Sequence, residues 1–128
     1  MIVDTSVIVA IALRERGFEQ LVARLGGAEA AAIGTPTLVE AGIVLRAKLG
    51  NKMDGLLERM LDELSLQEVP FGEIHWREAL EAHRKYGKGR HKANLNFGDC
   101  MAYATAKLAG SALLYVGTDF NHTDIQAA

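Results

Sequence analysis

The chain opens on Met1-Ile2-Val3-Asp4-Thr5-Ser6-Val7-Ile8-Val9-Ala10-Ile11-Ala12-Leu13, an apolar run with one acid near its start. An ionised carboxylate inside a buried strand is costly, because it loses its hydration. An acid at the carboxyl end of a strand instead lies where α/β sheets bind ligands. The run therefore predicts a short central strand, Ile2–Val3, with Asp4 at its tip, and then a helix capped by Thr5 or Ser6. The alternative is one long buried strand with an incidental acid.

The bulk composition indicates one ordinary globular domain, residues 1–128. Hydrophobic residues make up 49% of the chain and charged residues 23%. A single cysteine, Cys100, excludes an internal disulfide and favours a reducing, cytoplasmic location. We expect no signal peptide and no membrane span, because the apolar runs are short and Asp4 interrupts the first one. The net charge of −2 disfavours bulk coating of nucleic acid but allows a local basic patch.

Strand and helix patterns alternate along the rest of the chain, which predicts a parallel sheet. Thr35 and Pro36 mark a helix start, with Thr35 as the N-cap, and Gly50 ends that helix. Spacing and punctuation predict helices over 17–25, 35–49, 53–64, 73–86 and 100–108, and strands over 30–33, 66–70 and 112–116.

Two of these helices have apolar faces that allow more than one interpretation. The stripe from Met53 to Leu64 favours core packing, and its methionines would also suit a contact surface. In the helix over 73–86, the spacing places Trp76, Ala79, Leu80 and His83 on the inward face. We expect His83 to be packed or half-exposed there rather than a ligand.

A basic segment lies between the last two long helices. Five of the 14 Lys and Arg residues fall between Arg84 and Lys92, without an acid among them, and two glycines break any helix there. Such a loop is either a phosphate contact or a solvated connector. It leads directly to Asp99, which we expect at the start of the helix over 100–108.

Four acids occupy equivalent places in this pattern. Asp4 and Asp119 each end an apolar strand, whereas Glu40 and Asp99 lie near helix starts. Glu40 and Asp99 could also be simple partners of the helix dipole. If the sheet is parallel, all four carboxylates meet at one edge and need a cation to stay ionised together. Oxygen-only ligands favour Mg²⁺ or Mn²⁺, and acids plus such a metal beside a basic loop suit phosphodiester hydrolysis.

Five short motifs, in this order, resemble the PIN-domain ribonucleases of the VapC toxin type. They are Ile-Val-Asp-Thr-Ser at 2–6, Thr-Pro-Thr-Leu-Val-Glu at 35–40, Gly-Lys-Gly-Arg-His at 87–91, Leu-Asn-Phe-Gly-Asp-Cys at 95–100 and Gly-Thr-Asp-Phe at 117–120. The resemblance extends from Met1 to Ile125. It implies an α/β/α sandwich, a Mg²⁺- or Mn²⁺-dependent endoribonuclease acting on RNA, a cognate antitoxin and a homodimer.

The resemblance also implies roles for individual residues. Asp4 and Asp99 would hold the metal, Asp119 would complete the site, and Glu40 would orient or deprotonate the attacking water. Ser6, or its neighbour Thr5, and Arg90 are the expected substrate contacts. The chain departs from the family pattern at Lys92, where proline is frequent, and at Thr118, where asparagine is frequent, which bears on substrate preference.

Three rival functions fit parts of the sequence. A haloacid-dehalogenase-like phosphotransfer enzyme also has an acid after its first strand, but it needs a second acid two residues later, where this chain has Ser6. A receiver-like domain needs an acid after a central strand near mid-chain. A non-catalytic domain that binds a regulator through 53–64 would not need all four acids.

Overall fold

The structure is a computed structural model that describes all 128 residues. Four strands and six α-helices alternate along the chain, with one turn of 3₁₀ helix at Gly50–Met53. The elements are β1 Ile2–Val3, α1 Thr5–Ala12, α2 Phe18–Gly26, β2 Ala31–Gly34, α3 Thr35–Leu49, α4 Leu56–Glu63, β3 Leu66–Val69, α5 Glu73–Tyr86, α6 Phe97–Ala109 and β4 Leu113–Leu114. No helix is long and apolar enough to cross a membrane.

All four strands are parallel and form one sheet in the order β3-β2-β1-β4. The first strand lies inside the sheet, because Ile2 pairs with Ala32 on one side and with Leu113 on the other. Since the strands are parallel, their carboxyl ends share one edge. The predicted parallel α/β architecture is confirmed.

The sheet separates two hydrophobic cores. Ile2 faces a core built from α5, α6, Leu113 and Phe120, whereas its neighbour Val3 faces a core built from α1, α3 and α4. This alternation follows from the two-residue period of a strand. A strand that is covered on both faces must be apolar, and both residues of Ile2–Val3 are apolar and buried.

Three helices begin one or more residues earlier than predicted. Asp4 itself is the N-cap of α1, Gly34 rather than Thr35 is the N-cap of α3, and Asn96 caps α6. The Gly34 position is closed to larger residues, because a Cβ there would lie 2.7 Å from Thr105 Oγ1 of α6. The prediction that Thr5 or Ser6 caps the first helix is therefore wrong, and the acid performs that function.

The two ambiguous helical faces are resolved by burial. Met53 and Met60 are buried in the core, so the core interpretation of the 53–64 stripe is confirmed and its use as an open contact surface is wrong. The predicted inward face of α5 is also partly wrong. Ala79 and Ala82 face the core, whereas the side chains of Trp76 and Leu80 are 48% and 62% exposed. Small residues face inward because α5 packs closely on α6.

Candidate active site at the carboxyl edge of the sheet

All four predicted acids line one open cavity at the carboxyl edge of the sheet. The cavity has a volume of about 320 Å³, and four different segments supply the predicted acids Asp4, Glu40, Asp99 and Asp119. A fifth acid, Glu15, also lines the cavity and is not among the site residues predicted from the sequence. Asp4 and Asp99 are buried, Glu40 is half-buried and Asp119 is exposed. The structure thus brings together residues that lie more than a hundred positions apart in the chain.

Asp4 is held by the first turn of α1. Its Oδ2 accepts hydrogen bonds from the backbone N–H of Ser6 at 3.1 Å and from the Ser6 hydroxyl at 2.6 Å. The Ser6 oxygen also accepts a bond from the N–H of Val116 at 3.0 Å. Ser6 therefore connects Asp4 to the segment after β4, and its hydroxyl proton is already committed to the carboxylate.

Glu40 of α3 contacts the first turns of two other helices, α1 and α6. Its Oε1 accepts a hydrogen bond from the Thr5 hydroxyl, which also approaches the carbonyl oxygen of Thr37 at 3.3 Å. Its carboxylate contacts the backbone of Gly98, where even a Cβ would overlap with Oε2. Thr5 and Gly98 thus hold Glu40 over the cavity. Glu40 is the only polar residue of α3 that lines the cavity.

Asp99 belongs to a reciprocal capping box at the start of α6. The Asn96 side chain accepts from the Asp99 N–H at 2.9 Å, and Asp99 Oδ2 accepts from the Asn96 N–H at 3.0 Å. This pairing orients Asp99 toward the cavity and satisfies two of the helix's unpaired donors. The spacing Asn96-x-x-Asp99 is readable in the sequence as a capping signal, and the sequence interpretation missed it.

Burial and mutual repulsion weaken the acidity of the two innermost carboxyls. Burial, together with repulsion from the carboxylates of Asp119, Asp4 and Glu40, raises the pKa of Asp99 to about 6, although the hydrogen bond from the Asn96 N–H opposes this rise. Burial also raises the pKa of Asp4, which the Ser6 hydrogen bonds partly offset. An arrangement of this kind is unfavourable without a cation and is typical of functional sites.

Asp119 follows β4 in a short turn. Its position is fixed by the next residue, Phe120, which is 2% exposed and packs on Tyr115 with ring centroids 5.0 Å apart. The buried ring anchors the turn, so that the carboxylate of Asp119 reaches the cavity from the solvent side.

The donor chemistry of the cavity fits a hard divalent cation, because its lining carries five carboxylates, those of the four predicted acids and of Glu15, and no Cys or His. The hydrogen bonds of Asp4 and Asp99 fall on Oδ2 in both residues, which leaves Oδ1 as the oxygen open to a ligand. No three acidic, His or Cys side chains converge tightly enough to form a preassembled metal-binding group. Side-chain rotation of Glu40 or Asp119 would have to complete the ligand set.

The basic segment lies apart from the acids. A bridge between Gly87 and Leu95 closes it into a compact loop, and Lys88 N–H donates to Leu95 O at 2.9 Å. Arg90 lines a separate hollow with Trp76 and Arg84 rather than the acidic cavity. The predicted substrate contact at Arg90 would therefore act on RNA at some distance from the reacting phosphate.

The chain matches known proteins over nearly its full length. A family profile described as "PIN domain" matches residues 1–126. The VapC ribonuclease Mb2004c of Mycobacterium bovis is 46% identical over 127 residues, covering 98% of this chain and 91% of that protein. Ribonuclease VapC42 of Mycobacterium tuberculosis is 38% identical, covering 100% of this chain and 98% of that protein.

Solved structures share the fold at lower sequence identity. The crystal structure of VapC20 from Mycobacterium tuberculosis, described as a sarcin-ricin loop cleaving toxin, aligns with a TM-score of 0.79 at 12% identity and covers 99% of this chain and 97% of that one. FitAcB from Neisseria gonorrhoeae aligns with a TM-score of 0.71 at 23% identity, covering 98% and 94%. The matches at 46% and 38% identity carry the family assignment: this chain belongs to the PIN-domain family of VapC ribonucleases.

Proposed function

We propose that this protein is a Mg²⁺- or Mn²⁺-dependent endoribonuclease that acts as the toxin of a toxin–antitoxin pair. The observation that carries the proposal is the convergence of Asp4, Glu40, Asp99 and Asp119 in one cavity of a VapC-family chain. A haloacid-dehalogenase-like reaction is disfavoured, because Ser6 occupies the position of the second acid and its hydroxyl is used to hold Asp4.

The proposed mechanism assigns different roles to the four acids. Asp4 and Asp99 would hold the cation, and Asp119 would complete the ligand set. A divalent ion held there would supply a water of lowered pKa and positive charge to offset that of the phosphate. Glu40 accepts the Thr5 hydroxyl on Oε1, whereas Oε2, which lies against Gly98, accepts no hydrogen bond and would orient or deprotonate the attacking water.

RNA would reach this cavity along the basic segment. Lys88, Arg90 and Lys92 are exposed, and none of them forms an ion pair with a carboxylate. Unpaired cations of this kind attract the phosphate backbone without reading its sequence. Because these cations lie apart from the acidic cavity, they suit a long polyanionic substrate that contacts both regions at once.

The proposal includes an antitoxin that covers the cavity. Structural neighbours include a complex described as a toxin–antitoxin complex from Klebsiella pneumoniae, with a TM-score of 0.70 at 20% identity over 96% of this chain and 92% of that one. In this chain, Val39 and Ile43 of α3 are 63% and 67% exposed and flank Glu40. An apolar antitoxin segment would pack on them and place a basic side chain among the acids. The family also favours a homodimer.

A cleavage assay tests the activity directly. The purified protein is incubated with a circular, labelled RNA in chelator and then with Mg²⁺ or Mn²⁺, and p-nitrophenyl phosphate serves as a parallel substrate. We expect linear RNA only in the presence of metal and no release of nitrophenol. Intact circular RNA under all metal conditions would contradict endonuclease activity, and metal-dependent nitrophenol release would favour the phosphotransfer alternative.

A further inference from the structure

The segment that carries Asp119 leaves the sheet and returns to it. After β4 the chain runs out to the acidic cavity, where Asp119 lines the wall. It then comes back beside β4, because the N–H of Leu113 donates to Gln126 O at 2.9 Å and the N–H of Ala128 donates to Leu113 O at 2.9 Å. Residues 115–125 therefore form a closed loop, which we call the terminal loop.

The tip of the terminal loop has no side-chain tie of its own. The carboxylate of Asp119 accepts no hydrogen bond and pairs with no cation. The Tyr115 hydroxyl donates to Asn121 Oδ1 at 2.8 Å, but both residues belong to the loop itself. Phe120 anchors the loop in the core, and any further restraint on Asp119 must come from contacts between the loop and a helix.

Asp124 supplies such a contact by joining the terminal loop to α6. The hydroxyl of Tyr103 donates to Asp124 Oδ1 at 2.6 Å, and Lys107 Nζ donates to Oδ2 at 2.6 Å. Tyr103 is 1% exposed, whereas the side chains of Lys107 and Asp124 are 43% and 46% exposed. The bond from the buried hydroxyl is the stronger tie, because an exposed ion pair contributes little.

The bond between Tyr103 and Asp124 keeps one protonation state at neutral pH. Burial and the hydrogen bond to Asp124 raise the pKa of Tyr103, so the hydroxyl remains a donor. The hydrogen bonds from Lys107 and Tyr103 lower the pKa of Asp124, so the acceptor remains ionised. A bond to an ionised acceptor is roughly twice as strong as one between neutral groups.

One face of α6 carries both this tie and a proposed metal ligand. Asp99, Tyr103 and Lys107 are spaced four residues apart, and residues at that spacing lie on the same face of a helix. Asp99 reaches the acidic cavity from the first turn of α6, and the terminal loop brings Asp119 to the same cavity. A single helix therefore places one of these acids directly and restrains the other through Asp124.

We propose that Tyr103 and Asp124 are positioning residues that act through Asp119, because their hydrogen bond fixes the terminal loop so that Asp119 can share a cation with Asp99. This inference rests on the proposed function and deepens it, since it gives a role in metal binding to two residues outside the acidic cavity. Removing a partner that orients a metal ligand typically lowers metal affinity about 10- to 100-fold. The effect of an indirect partner such as Tyr103 should lie at the lower end.

Mn²⁺ binding tests this inference without RNA. Free Mn²⁺ gives an electron paramagnetic resonance signal that weakens on binding, so a titration of the full chain measures Kd. Tyr103→Phe keeps the ring and removes the hydroxyl, and it should weaken Mn²⁺ binding about tenfold. Asp124→Ala should weaken it at least as much. Asp124→Asn should bind Mn²⁺ nearly as tightly as wild type, because its amide oxygen can still accept the Tyr103 hydroxyl.

Two controls separate positioning from a general loss of stability. Thr105→Val removes another buried hydroxyl of α6, which donates to Met101 O at 2.9 Å within the helix and not to the terminal loop. This variant should melt at a lower temperature and bind Mn²⁺ as wild type does. Lys107→Met removes only the exposed ion pair and should also change the Mn²⁺ affinity little. Equal losses of Mn²⁺ affinity in Thr105→Val and Tyr103→Phe would overturn the proposal.

A double variant tests whether the effect passes through Asp119. In an Asp119→Asn background, Tyr103→Phe should cause no further loss of Mn²⁺ affinity, because the ligand on which it acts is already impaired. If Tyr103→Phe weakens Mn²⁺ binding by the same factor in both backgrounds, the hydroxyl acts on something other than Asp119 and the proposal is wrong.

The metal-free protein offers an independent measurement. The N–H of Asn121 donates to Thr118 O at 3.0 Å inside the terminal loop, whereas the N–H of Ala32 donates to Met1 O at 3.0 Å inside the sheet. Tyr103→Phe should speed hydrogen exchange at Asn121 and leave exchange at Ala32 unchanged. Wild-type exchange at Asn121 in this variant would show that the loop is held without the tie.

The outcomes keep this inference distinct from the proposed function. If wild type binds Mn²⁺ and cleaves RNA, and Tyr103→Phe does both equally well, the positioning role is wrong and the nuclease stands. If Mn²⁺ binding depends on Tyr103 as described but no RNA is cleaved, the positioning role stands and the nuclease assignment fails. Wild type that binds no Mn²⁺ would overturn the inference whatever the RNA result, because Asp119 would have no ion to hold.

Discussion

The carboxylate of Glu40 lies directly against the backbone of Gly98, in the space that a Cβ at position 98 would occupy. This contact joins the third helix to the first turn of the sixth. Because position 98 directly precedes Asp99, the absence of a side chain at Gly98 allows two acids from different helices to face the same cavity. Gly98 is therefore a positioning residue for Glu40.

The first prediction is that Gly98→Ala impairs catalysis without destabilising the fold. The added methyl would displace the end of the flexible Glu40 side chain, and a displacement of about 1 Å can lower a rate about 100-fold. Alanine in a helix favours folding by roughly 0.5–1 kcal/mol relative to glycine. Cleavage rates and thermal melting measure the two effects.

Gly26→Ala is the control, since a Cβ there meets no atom within 4 Å. The double variant Gly98→Ala/Glu40→Gln should be no slower than Glu40→Gln alone. Additive losses in the double variant would show that Gly98 acts through something other than Glu40.

The second prediction concerns the two proposed metal ligands. Asp4→Asn and Asp99→Asn should each reduce RNA cleavage by at least about 100-fold and remain folded. Asparagine is as good an N-cap as aspartate at position 4, and at position 99 its amide oxygen can still accept the bond from the Asn96 N–H. Ser6→Ala should reduce cleavage less, since it removes one of the two bonds that orient Asp4. Cleavage at the wild-type rate by either folded asparagine variant would refute the site assignment.

The sequence predicted the site better than it predicted the helix faces. A strand such as Ile2–Val3 is recognised by its uniform apolar character, and a parallel sheet places every strand end at one edge, so the meeting of Asp4 and Asp119 follows from topology alone. The orientation of α5 depends on which residues fit closely against α6. Alanines occupy the positions of α5 that face α6, and Trp76 lies at the surface.

Contacts between distant segments were outside the reach of the sequence pattern. The hydrogen bond from Thr5 to Glu40 and the contact between Glu40 and Gly98 join residues 35 or more positions apart, and no local spacing encodes them. The capping role of Asn96 was readable from its spacing to Asp99 and explains why α6 begins three residues before the predicted start.

The third prediction concerns the basic segment. Replacing Lys88, Arg90 and Lys92 together by glutamine should weaken RNA binding and reduce the slope of log K against log salt by about 2, at roughly 0.7 for each lost phosphate contact on a single strand. Binding isotherms at several salt concentrations measure the slope. The same exchange at Lys48, Lys52 and Arg59, which are exposed elsewhere, should change it little. An unchanged slope in the first variant would mean that the segment is only a connector.

The fourth prediction places the antitoxin on α3. Val39→Ser with Ile43→Ser should weaken the complex about tenfold or more, because the two exposed side chains are one helical turn apart beside Glu40. Serine adds no charge near the acids, so cleavage by the free toxin should persist. Ile74→Ser removes an equally exposed isoleucine from another helix and serves as the control. Equal affinities of all three proteins for the antitoxin would place its contact elsewhere.

The last prediction concerns stability, for which the sign follows from the raised pKa of Asp99. Its pKa is about 6 in the folded protein against an ordinary value of 3.8, so the folded state binds this proton more tightly than the unfolded state. The metal-free protein should therefore become more stable as pH falls from 7 through 6, and the difference in melting temperature between wild type and Asp99→Asn should shrink over the same range.

At pH 7 in chelator, Asp99→Asn should melt at or above the wild-type temperature. Added Mg²⁺ or Mn²⁺ should stabilise wild type by RT ln(1 + [L]/Kd) and the variant much less. Melting curves across pH and metal concentration measure both effects, and equal metal-induced shifts in the two proteins would mean that Asp99 does not help to hold the ion.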